Sequence, residues 1–578
     1  MRLFIDIETN GISDFSRLSD LKKIHCIAMI PFDTDIAGEG PAMLFVDGQF
    51  DKAVEMLKAA KEIVGHNIIG FDLRAIKRVL GWEPAWDQTV RDTLVMSRLC
   101  WPDIKEEDFR RIDKGYPKNL IGSHSLEAWG HRLNYHKGSC DQWDVYTPEM
   151  GEYCKNDVGV TAKLYHWIIK ENPAYASLCL EHDFAKIIQA QEEAGIPFDE
   201  KSAAELYGTL VSRKSELGTK LVNLFPPKEV KLKTKVKYIP FNPGSRLQIA
   251  ENLMKKYRWQ PSEFTPDGRP KVDEEVLSSL DYEEAKLLSE YLLVEKRIGQ
   301  LADGNEGWMK LSKGGRIHGR VNTNGAVTGR CSHSSPNLAQ VPSVKSPFGR
   351  ECRSLFFAPA GFRMVGVDAS GLELRCLAHY MAKYDDGAYA ETVVSGDIHT
   401  MNQQAAGLAT RDQAKVFIYA LVYGAGDEKI GKIIGGDRAQ GRRVRERFMS
   451  KVPALKRLKE DIERAVESRG YLMGLDGRKL RPRSKHAALN TLLQSAGAVL
   501  VKQATVLAWR DFARNKLTGD VTQVAHVHDE IQFIVKEDNA ERIGQLCVEA
   551  IRKAGLVFKF RCPLDGEYRV GRNWAETH

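Results

Sequence analysis

Asp368, Asp529 and Asp6 stand far apart in this chain of 578 residues, and each sits in a stretch where local structure would present a carboxylate to a catalytic metal. Two separate sites of that kind suggest chemistry in both directions on a phosphodiester bond, making and cutting. Phe362-Arg-Met-Val-Gly-Val-Asp368 is a short apolar run with β-branched residues, which predicts a buried strand. Ala-Ser-Gly then turns the chain into the amphipathic Leu372-Glu-Leu-Arg-Cys-Leu-Ala-His-Tyr-Met381. Asp368 is therefore expected at a strand end facing a helix entrance. Val521-Thr-Gln-Val-Ala-His-Val527 and Ile531-Gln-Phe-Ile-Val535 flank His528-Asp529-Glu530, the pattern of a β-hairpin whose turn lifts Asp529 out of the sheet. Two such carboxylates face to face could hold a pair of magnesium ions about 3.5–4 Å apart, one at the attacking hydroxyl and one at the leaving pyrophosphate. Taken alone, each aspartate is more often a turn or capping residue.

Thr410-Arg-Asp-Gln413 has the form of a capping box, opening a helix in which Arg411, Lys415, Tyr419 and Tyr423 recur every four residues and share one face. Arg and Lys one turn apart suit a triphosphate, and the aromatics on the next turns offer a stacking surface for a base. An amphipathic helix with a charged flank and a buried tyrosine edge has the same pattern. At the amino terminus, Leu3-Phe-Ile-Asp6-Ile-Glu8-Thr9 predicts a strand whose period of two puts Asp6 and Glu8 on one face. Paired carboxylates repel unless a cation lies between them, although an exposed strand face often carries such a pair. Gly65-His-Asn-Ile-Ile-Gly-Phe-Asp72 follows, and then Tyr153-Cys-Lys-Asn-Asp157, whose helical spacing sets a phenol beside a carboxylate.

Together and in order, Val367 to Arg375, Arg411 to Gly424 and Val527 to Glu530 resemble the three signature motifs of family A DNA polymerases. Asp-Ala-Ser-Gly-Leu-Glu-Leu-Arg and Tyr423-Gly-Ala-Gly-Asp-Glu-Lys-Ile430 are most similar to the replicative polymerases of short-tailed phages that use host thioredoxin as a clamp. The likeness continues through Gly325-Ala-Val-Thr-Gly-Arg330, Pro336 to Pro342, His486 to Gln494 and Asn573-Trp-Ala575. The amino-terminal segments resemble the motifs of DEDDy proofreading 3′ to 5′ exonucleases.

The resemblance implies a multidomain α/β and α+β chain, an RNase H-like exonuclease domain followed by a right-hand polymerase. The expected divisions are exonuclease 1–180, thumb 181–304, palm 305–379, fingers 380–490 and palm again 491–578. It implies that Asp368, Asp529 and the carbonyl of Ala369 hold metal, and that Arg411, Lys415 and His399 grip the incoming triphosphate. Tyr419 would pack beside the sugar, and Glu373 would close the space that a ribose 2′-hydroxyl would need. Arg330, Gln494, His528 and Tyr423 would contact the primer–template. At the second site Asp6, Glu8, Asp72 and Asp157 would hold metal while Tyr153 orients water. The implied cofactor is Mg2+, two ions per site with Mn2+ able to substitute. The implied partners are primer–template DNA, dNTPs, and a phage helicase-primase and single-stranded DNA-binding protein.

One departure concerns the thumb. The thioredoxin-using relatives carry a long insertion there, whereas Pro226-Pro-Lys-Glu-Val-Lys-Leu-Lys-Thr-Lys-Val-Lys-Tyr238 leaves only about a dozen residues, too few for a binding module. No thioredoxin partner is expected. Lys231, Lys233, Lys235 and Lys237 alternate, so on a single strand they share a face and could rest on template phosphates. A solvated edge strand guarded by lysines fits the same pattern.

Composition agrees. The net charge is +7, and 43% of residues are hydrophobic, enough for several cores. The ten cysteines include no C-x-x-C pair, which argues against zinc ribbons and disulfides and for a reducing, cytoplasmic setting. His124, His131 and His136 fall where an ordinary amphipathic helix is expected. No stretch is apolar and long enough to span a membrane, and the charged first strand is not a signal peptide. With the exonuclease motif starting at once, no preceding 5′ nuclease is expected. Two other readings compete: a single-subunit RNA polymerase, which would lack the exonuclease motifs and the Glu373 gate, and a DNA-binding scaffold with decayed sites, which the intact carboxylates oppose.

Overall fold

The computed structural model describes the chain except residues 12–17, 19, 33–40, 86–87, 136–137, 139 and 232–235. Near-continuous apolar runs in the first ninety or so residues form a mixed sheet of β1 (Arg2–Thr9), β2 (Ile24–Phe32), β3 (Met43–Val46), β4 (Glu62–Gly65) and β5 (Thr89–Asp92), in the order β3-β2-β1-β4-β5. β1 is central, antiparallel to β2 and parallel to β4. Both of its faces are covered. Leu3, Ile5 and Ile7 pack on the side of helices Phe50–Ala59 and Asp72–Leu80, and Phe4 packs toward helix Pro148–Lys170. A strand buried on both sides loses the alternation that marks a half-exposed one, so Asp6 and Glu8 stand out as charges within an apolar layer.

The second sheet is antiparallel throughout, with strands ordered Val521–Val527, Glu530–Lys536, Phe362–Ala369 and Gly566–Gly571. Phe362–Ala369 is thus interior to the sheet. Its Val365 and Val367 pack into a core shared with the helices Leu372–Asp385, Arg411–Val422, Ala488–Arg514 and Ala540–Val557, while Met364 joins a second core with the helices Glu200–Leu224 and Glu283–Ile298. In that second core, helices Glu200–Leu224 and Glu283–Ile298 pack together through Leu210, Leu217 and Leu221 against Leu288, Tyr291 and Val294.

The helix Tyr175–Ala194, here called the bridging helix, packs on Thr93–Cys100 and β5 on one side and on Ala488–Arg514 and Val521–Val527 on the other. The expected divisions at 180, 379 and 490 fall inside the helices Tyr175–Ala194, Leu372–Asp385 and Ala488–Arg514. A helix forms as one cooperative unit, so these elements belong to both neighbours rather than ending one and starting the next.

The lysine-rich thumb segment is also different from expectation. It is a hairpin, Lys228–Lys231 against Val236–Ile239, with Lys231 opposite Val236 and Val230 opposite Lys237. Directly opposed residues share a face, so Lys231 and Lys237 point to opposite faces instead of sharing one. Lys233 and Lys235 lie outside the described residues.

Candidate active sites

The three amino-terminal motifs converge. Asp6 and Glu8 on β1, Asp72 at the start of helix Asp72–Leu80, and Tyr153 and Asp157 on helix Pro148–Lys170 line one cleft of about 440 Å³, together with His66, Asn67 and Trp143. Asp72 and Asp157 are buried, as is Glu8. Burial, with the carboxylates of Asp92 and Asp157 adding to it, pushes Asp72 up to about 7. Donor atoms of Asp6, Glu8 and Cys154 lie within 4.8 Å of one another. A carboxylate crowded this way resists ionising unless a cation joins it, and hard oxygen donors suit a divalent ion. The residues present therefore fit a metal site.

Several residues that complete this site carry no motif signal. Asp92, buried at the end of β5, accepts the amides of Asn67 (2.9 Å) and Ile69 (3.1 Å), which fixes the segment leading to Asp72. Trp143 sets its ring edge-on to Tyr153, centroids 5.7 Å apart. Cys154 follows Tyr153 on helix Pro148–Lys170, and its Sγ donates toward the Asp6 carbonyl at 3.5 Å. The expectation for His124 and His131 is half right. Ser125 caps the helix Leu126–Leu133, which contains His131, so His124 lies just before the helix and pairs with Ser97 Oγ at 3.0 Å. His136 lies outside the described residues.

The second cluster forms where the Phe362–Ala369 strand meets the hairpin turn. Asp368 pairs in register with Glu530 on one side and Glu567 on the other, and the Ala369 amide donates to the Asp529 carbonyl at 3.3 Å. The turn holds His528 at a positive φ of 57°, which swings Asp529 out of the ladder. Burial, then the carboxylates of Asp529 and Glu530, push Asp368 up to about 7, while His578 opposes them. Glu530 is itself compensated: Trp574 Nε1 donates to it, His578 Nδ1 lies 3.0 Å away, and Arg353 approaches at 3.4 Å. Asp368 and Asp529 are again a hard-oxygen set fitting divalent metal.

The expected nucleotide residues gather on the helices facing this pair. Thr410 caps helix Arg411–Val422 through a complete capping box with Gln413, and Tyr423 is its C-cap. Arg411 Nε donates to Asp397 Oδ2 at 2.8 Å, and Asp397 is the N-cap of helix Ile398–Ala406, which starts with His399 in its first turn. The rings of His399 and Tyr419 are 6.4 Å apart. Burial, then the carboxylates of Glu373 and Asp529, push the Tyr419 phenol up, which links helix Arg411–Val422 electrostatically to helix Leu372–Asp385 and the hairpin turn. The Tyr423 hydroxyl donates to Glu373, and Arg330 lies 3.8 Å from the same carboxylate. Arg330, His528 and Asp529 line a small cavity with Gly497 and Ala498 of helix Ala488–Arg514, and Gln494 sits one turn before Ala498. Lys415 is exposed on its helix face, as are Lys231 and Lys237 on the hairpin Lys228–Lys231/Val236–Ile239.

With this geometry in place, comparison with known proteins agrees on the class. The family described as DNA polymerase family A matches residues 214–576. The DNA-directed DNA polymerase of Enterobacteria phage T3 is 34% identical over 714 aligned positions, covering 100% of both chains. That of Escherichia phage T7 is 34% identical over 711, covering 99% of both. The solved POL domain of Pol1 from M. smegmatis, in complex with DNA primer-template and dNTP, superposes with a TM-score of 0.77 at 17% identity, covering 99% of this chain and 96% of that one. This chain belongs to DNA polymerase family A.

Proposed function

We propose that this family A DNA-directed DNA polymerase extends a primer with deoxynucleotides at Asp368 and Asp529, and shortens a 3′ end at Asp6, Glu8, Asp72 and Asp157. The observation that carries the reading is the existence of two crowded carboxylate clusters on two different sheets, each assembled from segments far apart in sequence. Bound divalent ions, Mg2+ or Mn2+ and two per site, would supply Lewis acidity at the reacting oxygens. The ligands would be the four exonuclease carboxylates at one site, and Asp368, Asp529 and the Ala369 carbonyl at the other. Arg411, Lys415 and His399 would bind the triphosphate, Tyr419 would back the sugar, and Arg330, Gln494, His528 and Tyr423 would seat the primer–template, the ligand class present in the solved relative. Tyr153 would orient water toward the bond to be cut.

A polymerase of ribonucleotides is the weaker reading, because Glu373 is held beside Tyr423 and Arg330 where it would exclude a 2′-hydroxyl. The test uses a labelled primer–template with Mg2+. Wild-type protein should lengthen the primer with dNTPs and shorten it without them. Changing Asp6 and Glu8 together to Ala should remove shortening and keep extension, and Asp529→Ala should do the reverse. Loss of both activities from either change would contradict the assignment of two independent sites.

A further inference from the structure

Four charged side chains are buried together where the bridging helix meets helix Ala488–Arg514 and the loop Asp476–Arg478. Glu181 and Asp476 are 0% exposed, Lys502 1% and Arg478 3%. Lys502 Nζ donates to both Glu181 carboxylate oxygens, at 2.7 and 2.9 Å, and to the Thr323 carbonyl at 2.8 Å. Arg478 donates to Glu181 at 2.6 Å, to Asp476 at 2.6 Å and to Asn324 Oδ1 at 3.3 Å. Two cations balance two anions. Such a group is costly to desolvate and often no more stable than apolar packing, so its use lies in what it holds in place.

What it holds is the loop ending in Arg330. Thr323 and Asn324 begin that loop, and the Gly325 amide closes it on the Arg330 carbonyl at 3.1 Å. Gly329 adopts a left-handed φ of +76°, and a Cβ there would lie 2.3 Å from Arg478 Nη1. Arg478 therefore braces the loop at both ends. The next residue of the bridging helix serves the other site. His182 Nε2 accepts the Asp92 amide at 2.8 Å while its Nδ1 donates to the Leu178 carbonyl at 2.7 Å. Asp92 in turn holds Asn67 and Ile69 beside the exonuclease cleft.

We propose that Lys502 and Glu181 are positioning residues that set the 323–330 loop, and with it Arg330, against the frame of the bridging helix, so that neighbouring residues of one helix fix the primer-binding parts of both sites. The proposal rests on the two-site reading. Removing the Lys502 charge should let the loop shift relative to the duplex while Asp92 and the exonuclease cleft keep their support from His182.

The experiment uses the full chain with Lys502→Met. The KM for primer–template in extension should rise by roughly 10- to 100-fold, as expected for displacement of a substrate-positioning group. The kcat at saturating DNA should fall much less, and shortening of a single-stranded oligonucleotide should be unchanged, which also reports that the variant is folded. Parallel loss of extension and shortening, or an unmoved KM, would overturn the proposal. Should Lys502→Met fail to fold, Gly329→Ala decides: its methyl group presses on Arg478, the other cation bound to Glu181, and so disturbs the same loop from its far end without stripping a buried charge. The same split between the two activities supports the proposal, and its absence overturns it. Wild-type protein that neither extends nor shortens would instead defeat the two-site reading itself.

Discussion

Glu373 meets three residues of the proposed polymerase site: it accepts from the Tyr423 hydroxyl, lies near Arg330 and, with Asp529, helps to raise the Tyr419 phenol. Glu373→Ala should raise the use of ribonucleotides relative to deoxynucleotides by roughly 10- to 100-fold. It should also slow both, because Tyr423 and Arg330 lose their common partner. Competitive incorporation on one template measures the ratio, and no change in it would remove Glu373 from the gate. Asp368 gives a second prediction, on stability. Its folded pKa, about 7, is above the ordinary 3.8, so between those values the native state holds more protons than the unfolded chain. Stability of the metal-free protein therefore falls as pH rises through that window, and Asp72 acts with the same sign. In EDTA at pH 8, Asp368→Asn should melt higher than wild type, and the advantage should vanish near pH 4. A lower melting temperature for the variant at pH 8 would refute the account. Asp6, Glu8 and Asp157 were legible from strand and helix spacing, Asp368 and Asp529 from apolar runs meeting polar turns, and Asp72 through the family resemblance. Asp92, His182 and Lys502 were not, because the partners that give them a role are 25 and 23 residues away for Asp92, 90 for His182 and 321 for Lys502.

At the scale of elements, reading followed the range of the interactions that form them. The helix Arg411–Val422 was legible to its first residue because its capping box involves Thr410 and Gln413 alone. The strand Phe362–Ala369 and the hairpin around Asp529 were legible from apolar runs and a polar turn. The thumb hairpin was not, since Leu232-Lys-Thr-Lys235 offers none of the Gly, Asn, Asp or Pro residues that usually mark a tight turn. Its geometry alters the expectation for its lysines. With Lys231 and Lys237 on opposite faces, a duplex lying along one face meets only one of them. Single substitutions to Ala should therefore be unequal: one should reduce the slope of log affinity against log salt by up to about 0.9, the other leave it unchanged. Equal reductions, measured by fluorescence anisotropy from low to moderate salt, would mean that DNA wraps the hairpin.

For the whole molecule, the T3 relative aligns over 714 positions against the 578 residues of this chain. The relative thus carries segments with no counterpart here, and between Phe225 and Phe241 the described residues of this chain include a two-stranded ribbon, Lys228–Lys231 against Val236–Ile239. A ribbon of that size lacks the area of a stable protein interface. Adding thioredoxin to extension reactions on a long primed single strand should leave product length unchanged, with the hold on DNA supplied by the thumb and palm. A large increase in product length would show that a partner surface exists elsewhere.

The sequence alone determined the elements that carry the motifs and the chemical character of each motif, because strand period, helix spacing and capping are set by neighbours a few residues apart. It also carried the family likeness. Tertiary structure decided which motifs share a cleft, that helices Tyr175–Ala194, Leu372–Asp385 and Ala488–Arg514 straddle the expected divisions, and that Glu181, Asp476, Arg478 and Lys502 meet in one buried group. The physical reason is desolvation. A charge on an isolated segment is solvated and carries no sign of its role, and only when packing removes the water does it require the distant partner that gives it one.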